Sequence, residues 1–463
     1  MIPESPQPKS RRTLTASQRA RLDERIRGAL AKPAGATQIA HAPHQTDFPL
    51  TFSQERLWFL EQFDPGNSVY NRPVNLRLTG DLDVAALEQS FRDILRRHEI
   101  LRICIKGGGT APRQQVTNDA EFHWAVHDLS TLDEAALEAE SEQLLRENNC
   151  RPFDLEQGPL YRVTLVRRQA RDHLLAVTFH HIIFDGWSER VLRRELSELY
   201  SGYVQHRPAT LPALPIQYGD FAHWQRTVAE GQKYESDLRY WEQQLTGAPA
   251  CLSLPTDFPR PAVQRSRGAT LPLEIDATLT AQLRDLGQAH NATLFMVLLA
   301  GWKALLWRYT QQDDIVVGTP IAGRNLPEVE ELIGLFINSL ALRTDLSGNP
   351  TGVELMARIR KVALEAFAHQ ELPFEKLVAE LQPERNLSFS PLFQVMLVLH
   401  NTPRRNWDLA AVTVEPRAAP TGTSKFDVTI ALTEVEGRLV GECEYDTDLF
   451  QEATIRRLCD QYR

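Results

Sequence analysis

Two adjacent histidines, His180 and His181, precede an Asp185-Gly186 pair, with Trp187 and Ser188 following directly. Imidazole is the side chain whose ordinary pKa suits proton transfer near neutrality. Adjacent residues on a strand point to opposite faces, so the two imidazoles should not share one job. One can face the interior and the other an opening. That geometry argues against a shared metal: two ligands on one strand want a spacing of two, and no third ligand stands nearby. Asp185 can orient an imidazole, or it can pair with an arginine and hold the loop. Gly186 permits close backbone approach, and its N–H is free to meet a developing oxyanion. Ser188 is the one hydroxyl in the stretch, and capping of the next helix accounts for it. With no nucleophile left over, the chemistry expected is direct attack of one bound substrate on another, without a covalent enzyme intermediate.

The elements that must hold this stretch are legible on either side. Leu174, Leu175, Ala176, Val177 and Phe179 form an apolar run that predicts a buried strand. Val191, Leu192, Leu196, Leu199, Tyr200 and Tyr203 share one face of a following helix. The histidines therefore fall where a strand ends and a loop begins, a common place for reactive groups. Residues 160 to 166 predict the preceding strand, joined through the basic turn 167 to 172 as a hairpin.

Composition bounds the rest. A chain of 463 residues suggests two cores, or three small ones. A net charge of −9 argues against a nucleic-acid partner. Cys104, Cys150, Cys251, Cys443 and Cys459 are scattered, with no C-x-x-C spacing, as expected of reduced cytoplasmic thiols. The start lacks the apolar core of a secretory signal. The longest apolar stretch, residues 293 to 307, is interrupted by Lys303 and too short to span a bilayer. No membrane partner and a cytoplasmic location are the expectation.

Residues 1–47 read as an appendage. A helix is expected from Thr15 or Ser17 to about Ala31, then a Pro- and Ala-rich linker from Pro33 to Phe48. The segment is either a disordered tail or a docking helix for a neighbouring module. From Pro49 the chain alternates. A helix starts at Ser53, Asp83 to Arg97 forms an amphipathic helix, and a strand starts at Leu101 with Leu101, Ile103 and Ile105 on one face. Arg102 then looks to the other face, either to a polar partner or to solvent. The proline-rich run 207 to 215 reads as a surface connection, followed by one helix from Tyr218 to about Leu245. The second half repeats strand and helix, so the expectation is α+β with two lobes, 48–217 and 218–463, and a site between them. The spacing Gly318 to Gly323 mimics a P-loop, but Arg324 and Asn325 stand where its lysine and hydroxyl would be, so nucleotide binding is rejected.

Six segments in order resemble the condensation domain of nonribosomal peptide synthetases, from about Pro49 to the C-terminus. They are Ser53-Gln54-Glu55-Arg56-Leu57-Trp58; Arg97-His98-Glu99-Ile100-Leu101-Arg102; His180 to Gly186; Tyr218-Gly219-Asp220-Phe221-Ala222-His223-Trp224; Ile333 to Ser339 with Arg343; and His369-Gln370-Glu371-Leu372-Pro373-Phe374-Glu375. Phe184 departs from the small or polar residue frequent there, and residues 385 to 392 match a seventh motif only approximately. The resemblance implies two chloramphenicol-acetyltransferase-like lobes in a V-shaped pseudo-dimer with a tunnel at their junction. It implies transfer of an aminoacyl or peptidyl group from one carrier-protein thioester to the α-amine of an aminoacyl thioester on a second carrier. The partners are donor and acceptor peptidyl carrier proteins and an adjacent adenylation domain. No cofactor is expected in the chain itself, since the phosphopantetheine arms belong to the carriers.

By the motif, His181 is the working histidine, as general base or as holder of the amine, and Gly186 offers its N–H to the oxyanion. His180, Asp185, Arg324, Arg97 and Arg102 are implied to be structural, with Asp185 paired to Arg324 of the other lobe. Trp187, Ser188, Trp224, Asn338 and Ser339 are expected along the tunnel. Both histidines are kept, which favours amide formation over heterocyclisation; residues 254 to 261 resemble the subtype that accepts an L-configured donor. Two rival readings are a stand-alone acyltransferase acting on a soluble acceptor, and a non-catalytic module that recruits carriers or a tailoring enzyme. The intact signature stands against the second.

Overall fold

The computed structural model describes residues 39–43, 46–109, 111–117, 122–229, 231–383, 386–400 and 407–463. The helix expected between Thr15 and Ala31 lies outside the described residues. The chain divides into two compact units, Met1–Ala40 and His41–Arg463. The stretch read as linker up to Phe48 is partly built into the second unit. Ala42 N donates to Asp220 Oδ1 at 2.7 Å, and Phe48 is buried.

In the first half the strands are β1 (Asp47–Pro49), β2 (Asn71–Gly80), β3 (Ile103–Lys106), β4 (Arg113–Val116), β5 (Trp124–Asp128), β6 (Tyr161–Gln169) and β7 (Asp172–His180). In the second half they are β8 (Gly268–Ile275), β9 (Asp314–Ile321), β10 (Asn338–Asp345), β11 (Val395–His400), β12 (Val412–Arg417), β13 (Val428–Val435) and β14 (Arg438–Asp446). Among the described residues they form a small sheet, β1-β4-β3, and two large ones, β12-β2-β7-β6-β5 and β10-β9-β11-β13-β14-β8. Each large sheet is the frame of one lobe, with helices packed on it.

Strand β7 lies inside its sheet, antiparallel to β2 and to β6. Its run from His173 to His180 is buried throughout, which explains why Leu174 to Val177 is apolar without alternation. The expected β6–β7 hairpin is present, as is the β13–β14 hairpin. In the second lobe the helix Leu294–Thr310 carries the core, with Trp302 and Leu306 fully buried. Among the described residues no single helix is long and apolar enough to cross a membrane.

Two expectations need correction. The helix expected from 218 to 245 is two, Tyr218–Val228 and Gln232–Leu245, with Gly231 as the N-cap of the second. The first of these packs back on the first half: Arg226 Nε donates to Leu50 O at 2.7 Å, and Phe52 N donates to Gln225 Oε1 at 3.1 Å. First-half packing therefore runs past residue 217. Finally, β12 leaves the second half and pairs with β2, so the first lobe's sheet contains a strand from residues 412 to 417. The division into 48–217 and 218–463 is thus crossed twice.

Candidate active site

Strand β7 ends at His180, and His181–Ile183 forms a short 3-10 turn before the helix Gly186–Val204. Phe184 folds back on Phe179, with ring centroids 4.0 Å apart and nearly parallel. An aromatic at this position thereby closes the turn. Asp185, and not Ser188, caps the helix: its Oδ1 accepts from Ser188 N at 2.8 Å. Both residues have capping chemistry, but Asp185 is the one with extended backbone just before the helix. Thr51 likewise replaces Ser53 as cap of the helix Phe52–Phe63, in a capping box with Gln54.

The turn separates the histidines. His180 is buried, 2% exposed, and its Nδ1 accepts from Ile182 N at 3.1 Å. Burial, with Lys425 and Arg162 adding positive charge, pulls its pKa down to about 3. His181 is half-buried. Its Nδ1 lies 2.7 Å from Phe184 O. A carbonyl only accepts, so Nδ1 carries the hydrogen and Nε2 keeps its lone pair. Burial first, then the charges of Lys425 and Arg72, hold the His181 imidazole well below its usual pKa of 6.5, against the opposing pull of the Phe184 carbonyl. A neutral imidazole with an uncommitted Nε2 can accept a proton at neutral pH.

Gly186 opens the helix, is exposed, and has nothing within 4 Å of where a Cβ would stand. As the first helical residue, its N–H has no partner within the helix and lies at the positive end of the macrodipole.

Asp185 joins the two lobes. Arg324 Nη2 donates to its Oδ1 at 3.2 Å, and Phe336 N donates to its Oδ2 at 3.0 Å. Arg324 Nη1 donates to Val329 O and Leu332 O at 2.6 and 2.7 Å, and its guanidinium stacks 4.0 Å from the Phe336 ring. Gly323 precedes it with φ +65°, and a Cβ there would run into Phe336 O. That glycine lets the backbone deliver Arg324 under the junction.

The other motif residues mostly build the same junction. Arg97 Nε donates to Glu195 Oε1 at 2.9 Å; His98 Nε2 meets Glu195 Oε2 at 2.8 Å; Ile333 N donates to His98 Nδ1 at 3.4 Å. Burial pushes the Glu195 carboxyl up, but His98 and Arg97 outweigh it and hold it below the usual range. Gln54 Nε2 donates to Ile182 O at 3.2 Å, and Tyr218 Oη donates to Leu335 O at 2.7 Å. Ser53 Oγ donates to Glu375 Oε2 at 3.3 Å, with Arg56 3.7 Å from Glu375. Segments hundreds of residues apart thus close on the 180–188 turn. Arg102 is the exception: it donates to Leu95 O and Thr117 O, and neither bond reaches that turn. It also stands at the end of a 3-10 turn, not on a strand.

The residues expected along a tunnel fare differently. Ser188 is buried, its Oγ 2.8 Å from Asp185 Oδ1 and 2.9 Å from Gly334 O, while Gly334 N donates to it at 3.0 Å. It is a junction residue. Trp187 Nε1 donates to Glu330 O at 2.9 Å, a second clasp. Asn338 Nδ2 donates to Gln370 O and Leu372 O, and its Oδ1 accepts from Phe374 N and Ser339 N. Every polar position of that amide is used in tying β10 to the loop before the helix Phe374–Leu381. Ser339 pairs with Pro320 across β10 and β9. Trp224 stacks on Phe221 at 5.9 Å, and its Nε1 finds no partner among the described residues. Sequence reasoning missed Lys425, Arg72 and Tyr70, which surround the histidines. None lies in a motif, and only Arg72, at the start of β2, had a strand signal nearby.

Two lobes, each a sheet with packed helices, and one half-buried histidine at their junction define a two-lobe transferase-like architecture. The chain belongs to the condensation-domain family, whose model, described as Condensation domain, matches residues 44–463. It is 44% identical over 437 residues to a linear gramicidin synthase of Brevibacillus parabrevis, covering 94% of this chain and 8% of that protein. It is 40% identical over 449 residues to phosphinothricin tripeptide synthetase PhsC of Streptomyces viridochromogenes, covering 96% of this chain and 41% of the other. The chain therefore spans well under two thirds of these relatives. Among solved structures, the X-domain from teicoplanin biosynthesis matches with TM-score 0.84 and 29% identity, over 92% of this chain and 96% of that one. The first condensation domain of the CDA synthetase shares the fold, with TM-score 0.75 at 21% identity, over 90% and 95%. The two-lobe, chloramphenicol-acetyltransferase-like fold class expected from the motifs is the one found.

Proposed function

We propose that the chain forms an amide bond between two carrier-bound substrates. The amine of an aminoacyl thioester on an acceptor carrier attacks the thioester carbonyl of an aminoacyl or peptidyl group on a donor carrier. The C–N bond forms, the C–S bond breaks, and the donor thiol leaves. His181 Nε2 accepts or orients the amine proton, which ends on the leaving thiolate. The Gly186 N–H faces the oxyanion that develops on the donor carbonyl. No acyl-enzyme is required, because Ser188 Oγ is consumed at the lobe junction. The observation that carries this reading is the His181 tautomer: Nδ1 is held by Phe184 O, which leaves the lone pair on Nε2, and Nε2 meets no hydrogen-bond partner among the described residues. Holding two tethered substrates together would contribute as much as the proton transfer or more.

The carriers bring the phosphopantetheine arms, and the donor residue is L-configured in this reading. An adjacent adenylation domain and a cytoplasmic location accompany it. A second reading has one observation behind it: a structural neighbour at TM-score 0.83 is the X-domain in complex with OxyB. In that reading this chain recruits a tailoring partner and transfers nothing. Intact mass separates the two. Donor and acceptor carriers, each loaded, are mixed with the chain. Condensation moves the donor mass onto the acceptor carrier; recruitment alone leaves both masses unchanged.

A further inference from the structure

The segment that leads from β12 into β13 carries Lys425, a residue outside every motif. Its flanks are anchored in different lobes. Arg417 at the end of β12 pairs with Asn75 of β2, and Val428 at the start of β13 pairs with Val395 of β11. Its carbonyl accepts from Gln264 Nε2 at 3.3 Å and from Ser390 Oγ at 3.5 Å. The side chain reaches back to the first lobe. Lys425 Nζ stands 4.7 Å from the centroid of the Tyr70 ring. Tyr70 is the residue whose carbonyl accepts the backbone N–H of His181, at 2.7 Å. Its ring lies 6.3 Å from that of His180. No carboxylate among the described residues comes within ion-pair distance of Nζ; Glu444 on β14 is the acidic group that acts on it from further off.

We propose that Lys425 is a positioning residue for transfer: its charge keeps the His181 imidazole in the neutral, proton-accepting form. The inference rests on the condensation reading for its consequence, though not for its physics. The charged groups around the turn favour it. Arg72 on β2 and His180 on β7 repel a proton at His181 together with Lys425, after burial itself, while the Phe184 carbonyl attracts one. At Lys425, burial and then Arg72 lower the pKa to about 7; Glu444 on β14 opposes them, and Arg56 from the helix Phe52–Phe63 adds to them. Glu61 and Glu375 face the neighbouring Tyr70. Below pH 7 Lys425 is therefore an ammonium, in the range where His181 would otherwise take up its proton. Because Lys425 arrives on the crossover segment, the two lobes must be joined for His181 to feel it.

The test is Lys425→Met beside Lys425→Arg, in the whole chain. The His181 ring is titrated by NMR with isotope-labelled histidine, and the acidic limb of carrier-to-carrier transfer is recorded in parallel. The expected result is that Lys425→Met moves the His181 midpoint and the acidic limb up by about one pH unit, while Lys425→Arg stays at the wild-type position. Lys425 is half-buried, so the methionine should be accommodated; Lys425→Gln, also uncharged, replaces it if it is not. A lysine that only props Tyr70 would lower stability and leave the midpoint in place. Coincident titrations of wild type and Lys425→Met, including rings that stay neutral over the same range, overturn the proposal, as does an equal shift in Lys425→Arg. Wild type that transfers nothing overturns the condensation reading instead, and the NMR midpoints still decide the role of Lys425.

Discussion

Arg324 Nη2 lies 3.2 Å from Asp185 Oδ1 across 139 positions of sequence, and both side chains are shut off from water. This contact carries more than one bond. The same carboxylate caps the helix Gly186–Val204, and the same guanidinium holds the carbonyls of Val329 and Leu332. One ion pair therefore links lobe orientation to the placement of Gly186.

Arg324→Ala should destabilise the fold by about 3–5 kcal/mol, because it leaves a buried carboxylate without its cation. Urea unfolding measures the loss, and transfer should fall with it. A variant as stable and as active as wild type would refute the role given to the pair.

The helix start offers a cleaner separation of backbone chemistry from folding. Gly186 is the first residue of its helix, where proline is tolerated. Gly186→Pro deletes the N–H, whereas Gly186→Ala keeps it and meets nothing within 4 Å. Both should fold, as read by circular dichroism. Gly186→Pro should lose about 10²–10³-fold in transfer rate, and Gly186→Ala should stay within a few-fold. Equal rates for the two would remove the N–H from the account.

The histidine turn also makes the fold acid-sensitive. His180 titrates near 6.5 when unfolded and at about 3 when folded. The unfolded chain therefore binds the extra proton between those values. Its contribution to stability is fully present above pH 6.5 and declines as pH falls through the window, by about 1.4 kcal/mol per pH unit. His180→Asn, whose amide oxygen can still accept from Ile182 N, should show a shallower decline by that amount between pH 5 and 6.5. Parallel urea-derived stability curves would contradict this.

Asn338→Ala should act on stability and not on substrate selection, since all four of its hydrogen bonds stay within the protein. A loss of roughly 2 kcal/mol is expected, with an unchanged KM for the acceptor carrier. A change confined to KM would return Asn338 to the substrate path.

Much of this was legible from residue types alone. His180, His181, Asp185 and Gly186 lie within seven positions, so local chemistry and strand periodicity suffice to single them out. The apolar runs at 174–179 and 191–203 marked the right strand and helix. Most of what failed at the site has one cause, that spacing says nothing of what a polar side chain meets. Ser188 and Asp185 can both cap a helix, and only the backbone before the helix chooses between them. Asn338 reads equally as a tunnel amide or a loop clamp. Arg102 could not be assigned a partner, and its partners are two carbonyls of its own lobe. Strand β12 is short, exposed along alternate residues and ends at Pro416-Arg417, so no pattern announces that it crosses to the other sheet. Lys425 follows from that crossing and is invisible without it.

The central claim is that one histidine, His181, serves the reacting amine through its free Nε2. Single-turnover transfer between loaded carriers, wild type against His181→Ala with folding checked by circular dichroism, tests it most directly. The expected result is a rate loss of about 10²–10⁴-fold with an intact fold. A folded His181→Ala that transfers at the wild-type rate would contradict it.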